Sequence, residues 1–376
     1  MKKTMKILQL GKFYPIRGGV EKVMYDLMLG LSARGIDCDM LCGGVEGHHG
    51  DFDVNDHARV LCQRTWVKAA ATTIAPSMIL RLRRICSEYD IIHVHHPDPM
   101  ACLALWLSGY KGKVVLHWHS DIEKQKMLLK LYLPLQNWLL RRADIVVGTT
   151  PVYLAESPHL TDVQQKTSVL PIGIEAVSTN PAAVEELHKR YEGKRIVFSL
   201  GRLVPYKGFQ YLVEAASYLP DDHVVLIGGG GPLREELQKQ IDENGLQDKV
   251  RLIGRVSDEE LPAYFGACDL FCLSSIQKTE AFAIVQIEAM SCGRPIVATR
   301  IPHSGVAWVN AHGESGLNAE PCDARDLASC ITAITSDADT YGRLSEGARR
   351  RFDALFTLDR MIDGVQEIYQ CVLTEM

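Results

Sequence analysis

Two glutamates eight residues apart are the strongest candidates for chemistry in this sequence. Glu280 and Glu288 flank a largely apolar run without proline or glycine, and we expect a helix to begin near Phe282. At about 1.5 Å per residue, the two carboxylates would lie roughly 10–12 Å apart along the helix axis. The unpaired N–H groups of the first helical turn lie between them and form a natural anion site. This arrangement suits a ligand with hydroxyls at both ends and phosphates in the middle, such as a nucleotide-diphosphate sugar.

The neighbouring elements distinguish this pair of glutamates from a chance spacing. A buried strand is predicted at 269–273, a turn with Gly293 follows the helix, and a further strand comes next. Strand, turn, helix and strand in this order form a parallel crossover, and its ligand end is the turn before the helix. Glu235 and Glu243 have the same spacing, but their segment is typical of a solvated helix face.

The same segment resembles a signature of glycosyltransferase family 4. Members carry two Glu residues separated by seven positions, then Ala-Met and a Gly-x-Pro step, and 280–295 is similar to this pattern. The resemblance implies that Glu280 lies beside the donor sugar and diphosphate, and that Glu288 binds the ribose hydroxyls. The family usually has glycine at Ala283, where we expect alanine to keep helical geometry and its backbone amide. The resemblance places the backbone of the following residues against the donor: Phe282, Ala283, Ile284 and Val285.

Two cations are expected to hold the donor diphosphate. The segment 201–208 follows a predicted strand and resembles the family motif Gly-Arg-x4-Lys-Gly, which assigns the diphosphate to Arg202 and Lys207. Breaking a sugar–phosphate bond leaves a nucleoside diphosphate of increasing negative charge. Two fixed cations stabilise that charge without needing a metal.

Glycine-rich loops supply further backbone contacts. Gly18 and Gly19 follow the first predicted strand, and paired glycines before a helix let N–H groups approach a ligand, although a tight turn is the alternative. The run 228–231 lacks the spacing of a dinucleotide fingerprint, so Gly229 and Gly230 are interpreted as backbone close to the nucleotide. The segment that resembles the family's border of the base contains Arg255 and Val256.

Histidines cluster near two predicted strands of the first half. The segment 117–121 resembles the His-Ser-Asp segment of bacterial mannosyl- and related transferases, in which His119 takes the position beside the donor sugar and the acceptor hydroxyl. A histidine there can donate a hydrogen bond to the sugar or orient the acceptor. His117 is expected to be structural. His93 and His95 point the same way from a strand, but no third ligand follows at zinc-like spacing, which favours cleft lining over a metal site.

Asp-x-Asp pairs, the metal-binding motif of other glycosyltransferases, occur in the sequence but not at the end of a strand in the predicted cleft. None closes a predicted strand, so we expect no metal ion and no other cofactor. The three pairs are Asp37/Asp39, Asp51/Asp53 and Asp337/Asp339.

Short apolar strands alternate with helices throughout the chain, which predicts parallel α/β layers. Turn residues at 171–181 suggest a linker, giving an acceptor-binding domain at 1–172 and a nucleotide-sugar-binding domain at 173–357. The family resemblance implies the GT-B fold, two Rossmann-like doubly wound domains facing a cleft, with the final helix, at 358–376, packed back on the first domain. The predicted strands are Met5–Leu10, Cys38–Cys42, Ile91–His95, Lys113–His117, Asp144–Gly148, Thr167–Leu170, Arg195–Gly201, His223–Gly228, Val250–Ile253, Leu270–Leu273 and Pro295–Thr299.

Composition indicates a soluble globular enzyme in a reducing compartment. The chain has 376 residues, 47% of them hydrophobic and 23% charged, with eleven scattered cysteines and no apolar run near the roughly 20 residues of a membrane span. Residues 1–170 hold 21 Lys and Arg against 16 Asp and Glu, a balance of +5 that leaves −10 for the remainder. Such a basic half favours an anionic surface or a phosphorylated acceptor, or is an ordinary imbalance. The basic amphipathic stretch 122–142 fits either a peripheral membrane helix or a core-facing helix.

The sequence therefore predicts a retaining glycosyltransferase in which Glu280, His119, Arg202 and Lys207 carry the chemistry. The resemblance suggests transfer of mannose from GDP-mannose to a lipid-linked or oligosaccharide acceptor in bacterial O-antigen or exopolysaccharide synthesis. The location expected is the cytoplasm, with peripheral contact at the inner membrane and no nucleic-acid partner. The alternatives are a UDP-sugar or other donor, a GT-B epimerase or phosphorylase, and a non-catalytic sugar-nucleotide-binding subunit.

Overall fold

Two α/β units account for the described chain. The computed structural model describes residues 5–69, 72–122 and 126–374. Unit 1 comprises Met1–Gly173 together with Leu358–Met376, and unit 2 comprises Ile174–Thr357. The predicted alternation of strands and helices is confirmed in both units.

The main sheet of unit 1 is parallel except at one edge. Its order is β10-β9-β8-β7-β1-β2-β4-β3 within the described residues, and only β3 runs antiparallel to its neighbour. The central strands are buried on both faces, which is why they read as apolar runs. A separate antiparallel pair joins β5 and β6. The strands are β1 (Lys6–Tyr14), β2 (Asp37–Gly44), β3 (Gly50–Asn55), β4 (Ala58–Arg64), β5 (Val67–Ala69), β6 (Thr72–Ile74), β7 (Ile91–His96), β8 (Lys113–Trp118), β9 (Ile145–Gly148) and β10 (Thr167–Val169).

The sheet of unit 2 is parallel throughout, in the order β13-β12-β11-β14-β15-β16. The strand order reverses between β11 and β14, and in such sheets ligands bind outside the carboxyl ends of the strands at this point. The loops that carry the predicted donor residues follow β11, β12, β13 and β14. The strands are β11 (Arg195–Leu200), β12 (His223–Gly228), β13 (Val250–Gly254), β14 (Leu270–Leu273), β15 (Ile296–Thr299) and β16 (Gly316–Ala319).

Several of the described helices begin after a side chain that accepts hydrogen bonds from their first N–H groups. Asp98 accepts from the backbone N–H groups of Met100 and Ala101, and Pro99 takes the first helical position, where no N–H is needed. The α-helices are α1 (Gly19–Ala33), α2 (Ser77–Ile85), α3 (Pro99–Ser108), α4 (Lys126–Arg142), α5 (Pro151–Glu156), α6 (Pro181–Arg190), α7 (Phe209–Ala215), α8 (Arg234–Glu243), α9 (Leu261–Ala267), α10 (Ile284–Ser291), α11 (Val306–Val309), α12 (Ala324–Thr335), α13 (Ala338–Leu355) and α14 (Leu358–Thr374).

Helix α14 belongs to unit 1, although it follows unit 2 in the chain. It packs on α1, where a Cβ at Gly30 would overlap the side chain of Ile362. Arg34 of the α1 C-cap pairs with Asp359 at 2.9 Å and with Asp363 at 2.6 Å. Close backbone approach and surface ion pairs therefore both hold this helix against the unit.

Among the helices of the described ranges, none is both long and apolar enough to cross a membrane.

Candidate active site

An ion pair lies at the carboxyl edge of the unit 2 sheet. Lys207 Nζ is 2.5 Å from Glu280 Oε2, and each side chain keeps 12% of its surface exposed. The two residues lie in the loops after β11 and β14, which are neighbouring parallel strands. Ser275 Oγ donates to the same carboxylate oxygen at 3.0 Å. The structure thus brings together two of the predicted site residues, and it adds Ser275, which sequence reasoning missed.

The turn that carries Glu280 is fixed through its backbone. Ser304 Oγ donates to the carbonyl oxygen of Glu280 at 2.5 Å, and Gly305 N–H donates to the carbonyl of Ala281 at 3.1 Å. Ser304 is almost completely buried. Because these contacts come from the loop after β15, the position of the Glu280 carboxylate depends on three adjacent strand ends.

The helix after Glu280 begins two residues later than expected. Helix α10 starts at Ile284, and its N-cap residue Ala283 has φ +62° and ψ +82°, a left-handed conformation. The expectation of a helix start near Phe282 and of helical geometry at Ala283 is therefore wrong. The left-handed region disfavours a Cβ, which is the physical reason why glycine suits this position better than alanine. The N–H groups of Ile284 and Val285 lie in the first turn of α10, where the Gln286 N–H donates to the Ala283 carbonyl at 3.0 Å.

Two glycines allow the loops of this edge to approach each other closely. Gly208 has φ +66°, and a Cβ there would overlap the carbonyl oxygen of Ser274. Gly229 has φ +129°, and a Cβ would overlap the carbonyl oxygen of Gly201. Backbone hydrogen bonds join the same loops, from Leu203 N to the Gly230 carbonyl at 2.9 Å among others. These loops are thus set by backbone contacts that glycine alone permits.

The remaining predicted donor residues of unit 2 lie in the loops at this edge and on α10. Arg202 is exposed and has no ion-pair partner within residues 5–69, 72–122 and 126–374. Glu288 is half-buried on α10, and Phe282 packs its ring against Phe356. After β13, Arg255 is exposed.

Val256, next to Arg255, lies close to Gly228 at the end of β12. In unit 1, Gly18 is the N-cap of α1 and Gly19 is its first residue, at the carboxyl end of β1. A Cβ at Gly18 would overlap the carboxylate of Glu21. The two predicted glycines therefore lie at a helix start, as the sequence suggests. The side chain nearest to Gly18 is the acidic Glu21.

A buried group of imidazoles occupies one face of β7 and β8. His93 and His95 of β7 lie beside His117 of β8 and His119, which follows it, and these rings are between 0% and 5% exposed. His95 Nδ1 is 2.9 Å from His119 Nε2, and His95 Nε2 is 2.8 Å from Gln9 Oε1. Sequence spacing within β7 did not reveal this group, because its other members come from the neighbouring strand.

The ring geometry favours hydrogen bonding over metal binding in this group. One nitrogen from each of His95, His117 and His119 lies within 4.8 Å of the other two. The spacing of histidines along a single strand does not reveal this possible set of metal ligands. The rings of His117 and His119, however, lie face to face at 3.9 Å with planes 17° apart. Since an imidazole binds a metal through a lone pair in its own plane, two stacked rings direct their lone pairs to different places.

Burial keeps these imidazoles neutral. It lowers the pKa of His96 and His117 to about 3, and it lowers the pKa values of His93, His95 and His119 well below the usual range. Both ring nitrogens of His117 are enclosed without a hydrogen-bond partner in the described structure, which supports the expectation of a packing role for this residue.

The Asp-x-Asp pairs have structural partners. Asp39 binds Arg59 at 2.9 Å and accepts from the Tyr89 hydroxyl at 2.7 Å. Asp51 pairs with Arg81 at 2.5 Å, and Asp337 caps α13. Each pair is thus engaged in holding the fold.

A surface cavity of about 900 Å³ lies in unit 2 away from these residues. Its lining includes Gly266, Arg294 and Arg349, and the first two precede β14 and β15. It therefore opens at the amino ends of the strands. The convergence of charged groups identifies the carboxyl edge as the candidate site.

The chain is similar to known glycosyltransferases along almost its whole length. The family model described as "Glycosyltransferase Family 4" matches residues 17–177, and the model "Glycosyl transferases group 1" matches residues 184–351. The chain is 33% identical over 374 residues to O-antigen chain mannosyltransferase C of Escherichia coli, covering 98% of this chain and 99% of that protein. It is 29% identical over 357 residues to D-rhamnosyltransferase WbpZ of Pseudomonas aeruginosa, covering 94% and 92%.

A solved structure shows the same fold. Alr3699/HepE from Anabaena, crystallised with UDP, superposes with a TM-score of 0.79 at 22% identity and covers 98% of this chain and 100% of that one. The fold class predicted from the sequence is confirmed. With near-complete coverage by a relative that is 33% identical, the chain belongs to glycosyltransferase family 4 and is a hexosyltransferase of the GT-B fold.

Proposed function

We propose that this enzyme transfers mannose from GDP-mannose, with retention, to a lipid-linked or oligosaccharide acceptor in bacterial O-antigen synthesis. The Escherichia coli relative is a mannosyltransferase of the O-antigen chain, and the Pseudomonas relative transfers D-rhamnose. The observation that supports the donor site most directly is the Lys207–Glu280 ion pair at the carboxyl edge of β11 and β14.

The ion pair suggests how donor binding begins. A pyrophosphate that arrives beside Lys207 competes with the Glu280 carboxylate for the ammonium group. When Lys207 turns to the phosphate, the carboxylate is released to accept hydrogen bonds from sugar hydroxyls. Arg202, which is exposed, supplies the second cation. The N–H groups at the start of α10 supply further stabilisation for the leaving diphosphate.

The other predicted residues fit supporting roles in this proposal. Glu288, four residues after the first residue of α10, would bind the ribose hydroxyls. The loop residues Gly229 and Gly230 would lie along the nucleotide, next to Arg255 and Val256 at the base. In unit 1, Gly18 and Gly19 would approach the diphosphate or the acceptor, and His119 would orient an acceptor hydroxyl. Departure of the diphosphate would leave an oxocarbenium-like sugar for attack from the same face.

A nucleotide panel tests the donor. Thermal unfolding should be measured with GDP, UDP, ADP and their sugars, each with and without a chelator. GDP and GDP-mannose should raise the melting temperature most, because a ligand that binds only the folded state stabilises it by mass action. The chelator should leave that rise unchanged. A larger rise with the UDP series would overturn the donor assignment but keep the site.

We also propose that unit 1 contacts the cytoplasmic face of the inner membrane. Helices α2, α3 and α4 expose Leu80 by 60%, Trp106 by 52% and Leu131 by 80%. Exposed Arg83 and Arg84 lie on α2. Apolar side chains beside cations suit an interface with anionic lipid.

The basic stretch 122–142 contributes less to that surface than its composition suggests. Arg142 donates to the Gly112 carbonyl at 2.5 Å and pairs with Asp144 at 3.4 Å. It therefore joins the residues that precede β8 and β9 and does not extend into solvent. Lys124 and the side chain of Lys126 lie outside the described residues.

Vesicle sedimentation tests the membrane contact. The protein should sediment with vesicles that contain phosphatidylglycerol, and the double variant Trp106→Ser, Leu131→Ser should stay in the supernatant. Equal sedimentation of the variant, or none of the native protein, would contradict the proposal.

A further inference from the structure

A line of buried polar side chains leads from α14 to His119. The Tyr369 hydroxyl is 3.1 Å from Gln9 Nε2, Gln9 Oε1 is 2.8 Å from His95 Nε2, and His95 Nδ1 is 2.9 Å from His119 Nε2. Tyr369, Gln9 and His95 have no exposed surface, and His119 keeps 5%. The four residues come from α14, β1, β7 and the loop after β8, so the line exists only in the folded unit.

With Gln9 Oε1 facing His95, the chemistry of each atom gives this line one direction. An amide oxygen only accepts, so His95 must carry its proton on Nε2. Neutral His95 then has a bare lone pair on Nδ1, and His119 must donate to it from Nε2. Burial lowers the pKa of both rings, which leaves one ring proton on each at neutral pH.

The contacts at the far end of the line are consistent with this orientation of the Gln9 amide. Gln9 Nε2 donates to the Tyr369 hydroxyl, and its second contact is Cys38 Sγ at 3.6 Å. The hydroxyl donates a hydrogen bond to His93 Nδ1, which is 2.6 Å away. Donors and acceptors are matched at every step, which holds Gln9 Oε1 towards His95.

We propose that Gln9 and His95 are positioning residues that hold His119 in the tautomer protonated on Nε2, so that its Nδ1 accepts a hydrogen bond from a substrate hydroxyl. This proposal rests on the role given to His119 in the proposed function. Nδ1 of His119 makes no hydrogen bond within the described residues, and it is not among the completely enclosed nitrogens, unlike both nitrogens of His117. Of the two sequence-based roles for His119, donation to the sugar or orientation of the acceptor, this tautomer selects the second, because a bare nitrogen cannot donate.

Nitrogen-15 NMR of histidine-labelled protein tests the tautomer. The His119 signals are identified by their loss in His119→Gln. Native His119 should show a protonated Nε2 and an unprotonated Nδ1, and Gln9→Met should convert it to a mixture of tautomers. Protonation on Nδ1 in the native protein, or an unchanged pattern in Gln9→Met, would overturn the proposal.

The variants include conservative and matched controls. Gln9→Glu keeps an oxygen acceptor for His95 and should retain the native tautomer. This variant provides a second test of the proposal if Gln9→Met does not fold. Gln136 is another buried amide, 3.3 Å from His96 on the opposite face of β7, and Gln136→Met should leave His119 unchanged. A change of the His119 tautomer in Gln136→Met would show a general loss of packing and contradict the specific role of Gln9.

Kinetics separate positioning from structure. Gln9→Met should lower kcat about tenfold, the scale of one hydrogen bond, with KM for the donor unchanged, and Gln9→Glu should restore most of the rate. A change confined to KM would overturn the positioning role. If NMR finds the inferred tautomer but His119→Gln transfers at the native rate, the role of His119 in the proposed function fails while the tautomer assignment stands.

Discussion

Two of the charged residues of the site, Lys207 and Glu280, form an ion pair with each other. Both side chains are largely buried, and they lie within hydrogen-bonding distance of each other. Each therefore partly neutralises the charge that the other offers to a sugar-nucleotide donor. Sequence motifs identified both residues but not their pairing, because the pairing depends on which strands are neighbours. Their substitutions should therefore affect binding and transfer differently.

Glu280→Gln should abolish transfer while nucleotide binding persists. The amide cannot hold the sugar hydroxyls as an anion does, and we expect a loss of at least about 100-fold in kcat. Lys207 loses its counter-ion, so GDP should bind as tightly as before or more tightly. Turnover assays with GDP-mannose and calorimetry with GDP measure the two effects.

Glu243→Gln is the control for that substitution, because this glutamate belongs to the other pair with the same spacing and forms only an exposed ion pair with Lys239. It should behave as the native enzyme. Loss of nucleotide binding together with transfer in Glu280→Gln would contradict the assigned role, and no change in either would favour a non-catalytic binding subunit.

Ala283→Gly should stabilise the enzyme. Alanine at φ +62° carries strain that glycine lacks, and we expect the free energy of unfolding to rise by about 0.5–1 kcal/mol after the entropy cost of glycine. Thermal unfolding followed by circular dichroism measures the change. Ala333→Gly, at an exposed position in the last turn of α12, should instead lose up to about 1 kcal/mol. A loss of similar size in both variants would show that Ala283 is not strained.

Elements with a continuous apolar core were predictable, and amphipathic or polar ones were not. Central strands such as β12 are buried at every position and read directly from the sequence. Strand β3 is missing from the prediction because its residues are mostly exposed, and β5 and β6 because each has only three residues. Strands β4 and β16 are missing because their apolar runs are short and are interrupted or ended by polar residues. Gln9 is a polar residue inside the apolar run 7–10 of β1, and this was the sequence signal for the buried line to His119. The line itself required the register of β7 on β8 and a tyrosine far along the chain.

The buried histidines of β7, of β8 and of the loop after β8 should make unit 1 sensitive to acid. The folded pKa values of five histidines, His93, His95, His96, His117 and His119, are lowered, to about 3 for His96 and His117, whereas the unfolded value is about 6.5. Below pH 6.5 the unfolded chain therefore binds protons that the folded unit does not. The stability that these neutral histidines contribute is fully present above that pH and is lost as the pH falls below it.

We expect cooperative unfolding of unit 1 between about pH 6.5 and 5, because the five contributions add. Tryptophan fluorescence should report it, since Trp118 stacks on His96 with ring centres 3.7 Å apart. His117→Leu removes one such group together with two unpartnered nitrogens, and it should move the transition to lower pH. A transition that stays at the same pH in this variant would contradict the explanation.

At the scale of the molecule, unit 1 is discontinuous in the chain and unit 2 is continuous. Helix α14 completes unit 1 through a buried face that includes Ile362, Val365 and Tyr369, all of them fully or almost fully buried. The ion pairs of Arg34 add a surface contribution, which is usually small. The apolar face should therefore account for most of the attachment of this helix.

A chain ending at Thr357 should lose the fold of unit 1 and keep that of unit 2. Removing α14 exposes the core of the sheet that it covers, whereas the contacts of unit 2 remain. Limited proteolysis should leave a protected fragment that begins near Ile174. Arg34→Ala in the full chain should be protected throughout, with a loss of less than about 1 kcal/mol. Protection of residues 5–170 in the shortened chain would contradict the role of α14.

The position of α14 also has a consequence for biosynthesis. The ribosome completes all of unit 2 before it makes the helix that closes unit 1, so the first domain to be translated is the last to be finished. During that interval the bare face of its sheet is available to chaperones, and the line to His119 lacks its tyrosine. Nascent chains thus acquire the site in unit 1 only after translation has passed through unit 2.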